Sequence, residues 1–264
     1  MKTIIQVWVH KCNCKYHIQN DTDAFWGLGD MIKGTIKLYQ LCKRYNYNYI
    51  VDIRLHSICN FLNQMENPYE KLILDNRDNI EFIYPGEVED YINKENNEII
   101  FFFTNDSCEE NIDEDTKEFM RKILSPNISF SSYLNSKINE IPYESYNIIH
   151  FRFGDDEIVR GNNINYDNCL NIFLNNRKDN DILISDSIKF KNEVKKLINI
   201  FTFDINPIHI GYSKDIESLK DTLIDFYIMI NSKEIKTFSV YDWISGFTFW
   251  ISRIYDIPLI NIKK

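Results

Sequence analysis

Residues 146–157 read YNIIHFRFGDDE, an apolar run that gives way within a few positions to charged residues and a glycine. The β-branched and aromatic side chains of Ile148–Phe151 predict a strand, and the residues that follow predict a loop at its carboxyl end. Successive side chains of a strand point to opposite faces, so His150 and Arg152 share one face and the phenylalanines share the other. The segment therefore predicts a strand that presents an arginine at its carboxyl end.

Strand and helix patterns alternate along the rest of the chain. Runs of β-branched and aromatic residues predict further strands near residues 3–9, 49–53, 80–84, 99–104, 181–185, 208–212, 235–239 and 258–262. Apolar residues at helical spacing predict helices near residues 31–45, 55–65, 115–124, 130–140, 166–177, 188–199, 215–231 and 245–254. Such alternation is typical of α/β proteins with parallel sheets, whose ligands bind beyond the carboxyl ends of the strands.

The length of 264 residues allows one large domain or two smaller ones. Pro126 and Pro142 bracket a polar helix, which marks a candidate boundary between them. We therefore predict two Rossmann-like domains, an N-terminal one over residues 1–140 and a C-terminal one over residues 141–264.

The chain carries a formal net charge of −9, which argues against broad electrostatic binding to nucleic acid or to an anionic membrane surface. A local cluster of hydrogen-bond donors can still bind a small anion. The apolar run that begins at Thr3 is too short for a signal peptide, and no stretch is long enough to span a membrane. The six cysteines lack the spacing of a disulfide scaffold. These features predict a cytoplasmic protein with reduced thiols and no membrane span.

The loop after the strand at 146–151 offers the types of group that bind phosphate. Arg152 has a rigid fork of donors suited to phosphate oxygens, and Gly154 lets the backbone approach a ligand closely. Asp155 can orient the guanidinium. A buried Arg–Asp ion pair with a core histidine explains the same residues without a ligand, and the spacing alone leaves both interpretations open.

The pattern His150-x-Arg152-x-x-Asp155 resembles the signature of the α1,2-, α1,6- and protein O-fucosyltransferase superfamily, usually His-x-Arg-Arg-x-Asp. The resemblance implies that Arg152 contacts the β-phosphate of GDP-fucose, with His150 against the nucleotide and Asp155 in the same donor site. Phe153 stands where a second arginine is usual, which leaves the identity of the donor sugar open.

The stretch Trp26-Gly27-Leu28-Gly29-Asp30 is similar to the Gly-Leu-Gly-Asn-Gln loop of that family. The similarity implies that Gly27, Leu28 and Gly29 bind the donor in the cleft between the domains, and a glycine-rich turn at a helix N-terminus does offer free N–H groups to a phosphate. A plain tight turn is the alternative. Asp30 replaces the usual Asn and can act as general base on the acceptor hydroxyl or can cap the helix.

Two further acids lie in segments that resemble the family. Asp225 corresponds to the acid that meets the guanine base in the α1,6 branch, and carboxylate oxygens match the paired N–H donors of guanine. Residues 182–187, ILISDS, resemble a family strand that ends in Ser-Asp-Asp, with Ser187 in place of the second acid. Asp186 is therefore either a donor ligand or a helix cap.

The C-terminal segment resembles the Ser-rich turn and aromatic helix of the family. The residues that correspond to the hydroxyl and backbone donors around the phosphates are Ser245, Gly246 and Thr248. Extra residues near 240–244 make Ser239 a competing assignment, and a serine that only caps the helix is the structural alternative.

Several metal-like and catalytic patterns lack support. Cys12 and Cys14 form a Cys-x-Cys pair without a second pair at zinc-finger spacing. The Asp-x-Asp matches at 21–23, 113–115 and 179–181 are interpreted as solvated loops of an acidic chain, and no Gly-x-Ser-x-Gly elbow is present.

These resemblances follow the family order along the chain and imply a GT-B glycosyltransferase, an α/β protein whose two parallel sheets face a central cleft. Such an enzyme would transfer fucose from GDP-fucose to a glycan hydroxyl with inversion, without a metal or a cofactor. Arg152 would stabilise the leaving diphosphate. The nucleotide sugar and the glycan acceptor are the expected partners. The alternatives are a GT-B transferase for another nucleotide sugar and a non-catalytic α/β protein that binds a glycan or a nucleotide.

Overall fold

A computed structural model describes residues 1–10, 26–154, 164–205 and 215–263 of the chain. These residues form two compact units, the first mainly from Met1–Ser131 and the second from Ser132–His209 and Lys220–Lys264. The predicted division between residues 140 and 141 stays a prediction.

The first unit is built on a parallel sheet of three strands in the order β2-β1-β3. The strands are β1 (Thr3–Val7), β2 (Asn48–Asp52) and β3 (Ile99–Phe102). The helices of its part of the chain are α1 (Leu28–Tyr45), α2 (Glu70–Asp75), α3 (Val88–Lys94) and α4 (Glu114–Ile123), followed by α5 (Ile128–Ile138), which continues into the second unit. Every side chain of β1 is buried, which fits a central strand covered on both faces.

Helix α1 lies unusually close to the end of β3. A Cβ atom placed on Gly34 would lie 1.9 Å from the carbonyl oxygen of Thr104, so only glycine fits at this point of the helix. The indole nitrogen of Trp8 donates to the hydroxyl of Thr35 at 3.0 Å, one residue further along α1. Backbone proximity and a buried hydrogen bond together fix how α1 packs on the sheet.

The second unit contains a parallel sheet of four strands in the order β5-β4-β6-β7. The strands are β4 (Asn147–Arg152), β5 (Asp181–Ser185), β6 (Ile235–Ser239) and β7 (Leu259–Asn261). The helices are α6 (Tyr166–Asn176), α7 (Ile188–Leu197), α8 (Ile216–Ile230) and α9 (Gly246–Tyr255). Because β4 pairs with both β5 and β6, three carboxyl ends meet at one edge of the sheet.

The alternation of faces predicted for β4 is confirmed. Phe151 and Phe153 are fully buried in one aromatic core, where both rings lie about 5 Å from the ring of Phe190. His150 and Arg152 lie outside that core cluster. The phenylalanines therefore anchor the strand, and Arg152 is left at the edge of the sheet.

The prediction of an α/β protein with parallel sheets is confirmed, but some elements differ. The helix predicted at 55–65 is wrong, because only a short 3-10 turn forms at Ser57–Asn60. The amide of Asn63 donates to the carbonyl of Ser125, and Leu62 pairs with Pro126, so this backbone is used in a tertiary contact. The segment predicted as a strand at 80–84 does not join a sheet as a strand and forms only an isolated β-bridge, between Phe82 and Phe103. The strand predicted at 208–212 lies outside the described residues.

Candidate functional site

Arg152 ends β4 at the carboxyl edge of the second sheet and is held there by Asp186. The guanidinium donates to the Asp186 carboxylate at 3.0 Å, and the backbone amides of Phe153 and Gly154 donate to the same carboxylate at 2.8 and 2.9 Å. Register explains the contact, since Phe151 of β4 lies beside Ser185 of β5 and the next residues of both strands meet. The Asp186 carboxylate therefore fixes both the loop and the arginine.

The guanidinium keeps donors for a ligand. Its side chain is 22% exposed, and within the described part of the chain only one of its N–H groups has a hydrogen-bond acceptor, which is Asp186. Arg152 therefore does form an ion pair with an aspartate, as one interpretation of the sequence predicted, and this aspartate is Asp186. Asp155, which the sequence offered for this role and for the donor site, lies outside the described residues.

Asp186 does not cap the helix that follows it. The N-cap of α7 is Ser187, whose hydroxyl accepts a hydrogen bond from the Phe190 amide at 3.1 Å. The interpretation of Asp186 as a helix cap is therefore wrong. Its carboxylate instead accepts hydrogen bonds from residues at and just after the end of β4.

Gly154 has a positive φ of 57°, where side chains are strained. A Cβ atom at this position would lie 2.9 Å from the ring of Tyr241, in the loop between β6 and α9. Tyr241 in turn stacks on Trp243 with ring centroids 4.7 Å apart, and Trp243 is 67% exposed. Glycine is thus required by both the backbone conformation and the packing beside Arg152.

His150 is buried in the sheet next to this edge. Its Nδ1 atom shares a hydrogen bond with the Thr237 hydroxyl of β6 at 2.9 Å, and the Thr248 hydroxyl of α9 lies 3.4 Å from the same Thr237 oxygen. Burial lowers the pKa of His150 to about 4, partly opposed by Asp186 and reinforced by Arg152. The imidazole is therefore neutral at pH 7 and links β4, β6 and α9; its predicted contact with a nucleotide stays a prediction.

Ser245 precedes the first turn of α9 and is the N-cap residue by position, yet its hydroxyl makes no capping hydrogen bond. The oxygen is buried and has no partner among the described residues. The amides of Gly246, Phe247 and Thr248 occupy the first turn, where no intrahelical acceptor is available. The interpretation of Ser245 as an ordinary capping serine is wrong, and the start of α9 offers unpaired donors.

Asp225 lies on α8 and is only 6% exposed. Burial raises the pKa of its carboxyl group to about 7; Lys191 opposes the shift, and the negative charges of Asp221 and Asp186 add to it. The described residues supply no hydrogen-bond donor to this carboxyl group. Asp225 is thus a buried acceptor whose pKa is affected by Asp186, the residue that binds Arg152. A carboxyl group with such a shifted pKa is a candidate for ligand recognition.

The predicted glycine-rich turn lies in the first unit. Gly27 is the N-cap of α1 in extended conformation, and its carbonyl accepts from the amides of Asp30 and Met31 at 3.0 and 3.1 Å. Asp30 sits in the first turn and pairs with Lys33 at 3.6 Å, so the interpretation of Asp30 as the cap is wrong. A donor-binding role for Gly27, Leu28 and Gly29, and a catalytic role for Asp30, stay predictions.

Sequence reasoning missed two residues that contact the end of β4, Thr237 beside His150 and Tyr241 beside Gly154. Thr237 and Tyr241 belong to a strand and a loop more than 80 residues further along the chain. The signal that could have found Tyr241 is the pair Tyr241-x-Trp243 directly after a predicted strand, since exposed aromatics at such ends suit ligand binding.

The described ranges contain neither a metal-binding cluster nor a membrane-spanning helix. Across them, no group of three or more His, Cys, Asp or Glu side chains is arranged to hold a metal ion. None of the helices found in these ranges is long and apolar enough to cross a membrane.

The fold is similar to that of solved fucosyltransferases. NodZ α-1,6-fucosyltransferase soaked with GDP-fucose matches with a TM-score of 0.61 and 14% identity over 98% of this chain and 94% of its own. Fucosyltransferase NodZ from Bradyrhizobium matches with a TM-score of 0.57 and 14% identity over 95% and 91%. A mutant of FUT1 from Arabidopsis thaliana in complex with GDP gives a TM-score of 0.57 and 7% identity over 100% and 70%.

No protein-family model and no curated protein matches the sequence. At identities of 14% and below, the structural likeness shows the fold alone. It confirms the predicted fold class: the chain has the GT-B architecture of these fucosyltransferases, with two parallel α/β sheets.

Proposed function

We propose that the protein is a glycosyltransferase that transfers fucose from GDP-fucose to a glycan hydroxyl with inversion and without a metal ion. The observation that carries the proposal is the arrangement at the carboxyl edge of the second sheet. There Asp186 holds the Arg152 guanidinium, and the loop from β6 leads to a helix N-terminus whose serine hydroxyl has no hydrogen-bond partner among the described residues.

The difficult step of this reaction is the departure of the nucleoside diphosphate. Arg152 supplies a positive charge that is already oriented, because its carboxylate partner is itself fixed by two backbone amides. The N-terminus of α9 adds N–H donors and the positive end of a helix dipole. Groups held in place before the reaction stabilise developing negative charge without reorganising, which is the main source of catalysis in such sites.

Asp225 is the residue that we propose to recognise the base of the nucleotide. The N1–H and 2-amino groups of guanine are adjacent donors, and a carboxylate offers two acceptor oxygens to match them. The Asp225 side chain is buried, and the described residues supply no hydrogen-bond donor to its carboxyl group, which leaves its oxygens available to a ligand. GDP and GDP-fucose are bound in fucosyltransferase structures of the same fold, which supports guanine as the base.

The acceptor hydroxyl has to lose a proton as the new bond forms. Asp30 is the residue we propose for this role, since its side chain is 39% exposed and its only ion pair among the described residues is a loose one with Lys33. Gly27, Leu28 and Gly29 of the same turn would bind the donor together with His150, Asp155, Gly246 and Thr248.

A thermal-shift panel tests the proposal. GDP should raise the melting temperature, whereas UDP, ADP and TDP should not; a ligand at 100 times its Kd stabilises by about 2.7 kcal/mol. Arg152→Ala should abolish the shift, and Arg177→Ala should retain it, because Arg177 is an exposed residue at the end of α6. Release of GDP from GDP-fucose in the presence of a glycan should be lost with Arg152→Ala and unaffected by EDTA.

A different nucleotide sugar is the second candidate, and one observation favours it. Phe153 is buried in the aromatic core, so this strand end presents a single guanidinium where two arginines are usual in the family that the sequence resembles. Stabilisation by UDP, ADP or TDP instead of GDP would support this candidate. No stabilisation by any of the four nucleotides would refute both.

A further inference from the structure

The loop after β6 carries an exposed pair of aromatic rings. Tyr241 and Trp243 stack with their ring centroids 4.7 Å apart and their planes 11° from parallel. Trp243 is nevertheless 67% exposed, so most of its indole outside this stack is open to solvent. An apolar ring left in water forgoes the free energy that its burial would give, and its place in the fold indicates what would cover it.

The beginning of this loop is fixed to the end of β4. The amide of Val240 donates to the carbonyl of Arg152 at 3.1 Å. The amide of Tyr241 donates to the hydroxyl of Ser239 at 3.2 Å. A Cβ atom on Gly154 would lie 2.9 Å from the Tyr241 hydroxyl and 3.2 Å from a terminal nitrogen of Arg152. The Tyr241 hydroxyl and the Arg152 guanidinium are therefore neighbours across Gly154.

The chemistry of the proposed reaction indicates which part of the donor lies next to this guanidinium. The bond that breaks joins the anomeric carbon of the sugar to an oxygen of the terminal phosphate. Negative charge develops on that oxygen, so Arg152 has to lie beside the phosphate that carries the sugar. The sugar is bonded directly to this phosphate, whereas the ribose and the base are separated from it by a second phosphate. The sugar is thus the part of the donor that is expected to reach the aromatic pair.

We propose that Tyr241 and Trp243 form the wall of the donor site that contacts the methyl group of fucose. The inference rests on the proposed function and deepens it by naming the residues that select the sugar. L-Galactose differs from L-fucose only in having a hydroxyl group on this methyl carbon. Contact with the indole removes the apolar surface of the methyl group from water, whereas a hydroxyl group there would lose hydrogen bonds to water. The aromatic pair therefore favours the 6-deoxy sugar.

Calorimetric titration of the full chain with GDP, GDP-fucose and GDP-L-galactose tests this contact. Wild type should bind GDP-fucose about 10- to 100-fold more tightly than GDP-L-galactose, the range that apolar pockets reach against an added hydroxyl group. Trp243→Ala should bind GDP as wild type does, because GDP lacks the sugar. The same variant should bind GDP-fucose about 10-fold more weakly and should lose most of its preference over GDP-L-galactose. Tyr241 is left unchanged, since its ring packs beside Gly154.

Tyr45→Ala is the matched control. Tyr45 is also an exposed ring that stacks on an aromatic residue two positions away, with its centroid 5.6 Å from that of Tyr47. It lies at the end of α1, in the first unit. Tyr45→Ala should therefore bind all three nucleotides with the affinities of wild type.

The possible results separate the sugar contact from other roles. Equal affinity of wild type for GDP-fucose and GDP-L-galactose overturns the inference, and this comparison needs no variant. Wild-type affinity of Trp243→Ala for GDP-fucose also overturns it. Equal weakening of GDP and GDP-fucose in that variant overturns it as well, because the indole would then act on the nucleotide or on the fold. Wild type that binds no GDP refutes the proposed function itself, which is a separate result from a lack of sugar selection.

Discussion

Asp186 organises the strand end that carries the candidate site. One carboxylate accepts from two backbone amides and from the guanidinium of Arg152, so the negative charge of Asp186 is satisfied by the protein and the arginine is oriented by it. The sequence predicted Arg152 and its place at a strand end, because apolar periodicity followed by charge is a local pattern. It offered Asp155 as the partner of the guanidinium and did not foresee Asp186, since a contact across 34 residues depends on which strands are neighbours.

Asp225 gives a pH-dependent prediction. Its pKa is raised to about 7 in the folded chain, against an ordinary value of 3.8, so the folded state binds more protons than the unfolded state between those values. The contribution of Asp225 to the free energy of unfolding should therefore fall as pH rises from about 4 to about 7 and should level off above. Asp225→Asn removes this loss and should be more stable than wild type at pH 8, by about 2–4 kcal/mol. Urea unfolding at pH 5 and pH 8 measures it.

The matched control for Asp225→Asn is Asp167→Asn, which removes a carboxylate from the exposed first turn of α6. It should not gain stability at pH 8. A stability difference between wild type and Asp225→Asn that is the same at pH 5 and pH 8 would contradict the raised pKa of Asp225. The stabilised variant should also fail to bind GDP, because a side-chain amide cannot present two acceptor oxygens.

Among the secondary-structure elements, the long ones were predictable and the short ones were not. The helix that follows Gly29 and the strands β5 and β6 have clear periodicity, and each is found where it was predicted. Helices α2 and α3 have six and seven residues, too few to show an apolar face in the sequence. The segment 55–65, which was wrongly predicted to be a helix, has apolar residues at helical spacing. Its backbone instead makes a tertiary hydrogen bond, from the amide of Asn63 to the carbonyl of Ser125.

Helix α1 provides a prediction about packing. Gly34→Ala improves helix propensity by about 1 kcal/mol, yet the new methyl group would lie 1.9 Å from a backbone carbonyl that cannot move aside freely. The Thr104 carbonyl also accepts from the side chain of Gln6 at 2.9 Å, so displacing it breaks a buried hydrogen bond. We expect Gly34→Ala to lower the free energy of unfolding by about 2–4 kcal/mol, measured by urea unfolding.

Gly86→Ala is the control that distinguishes the steric clash at Gly34 from the backbone strain of a residue with positive φ. Gly86 has φ of 86°, but a Cβ atom there would have no neighbour within 4 Å. Its substitution should cost about 1 kcal/mol from backbone strain alone. Equal destabilisation by the two variants would mean that α1 moves away from Thr104 at little cost, and the close approach would then not be a constraint on the fold.

For the molecule as a whole, the alternation of strands and helices was enough to predict parallel sheets in two Rossmann-like halves. The position of the candidate site followed from the same rule, because ligands of such sheets bind at the carboxyl ends of the strands. The pattern of strands and helices could not predict which side chains meet there, such as Thr237 with His150 and Tyr241 with Gly154. These contacts depend on strand order and helix packing, which no local signal encodes.

Hydrogen exchange of the full chain, with and without GDP, tests which parts of the molecule hold the donor. The amides of Gly246, Phe247 and Thr248 lack intrahelical acceptors, so a bound diphosphate should slow their exchange more than that of any amide in β1 to β3. Residues 28–31 should also be protected if the Gly27–Asp30 turn binds the donor, as we predict. Arg152→Ala should show neither effect. Protection at α9 without protection at 28–31 would remove Gly27, Leu28 and Gly29 from the donor site and leave the second unit to bind the nucleotide on its own.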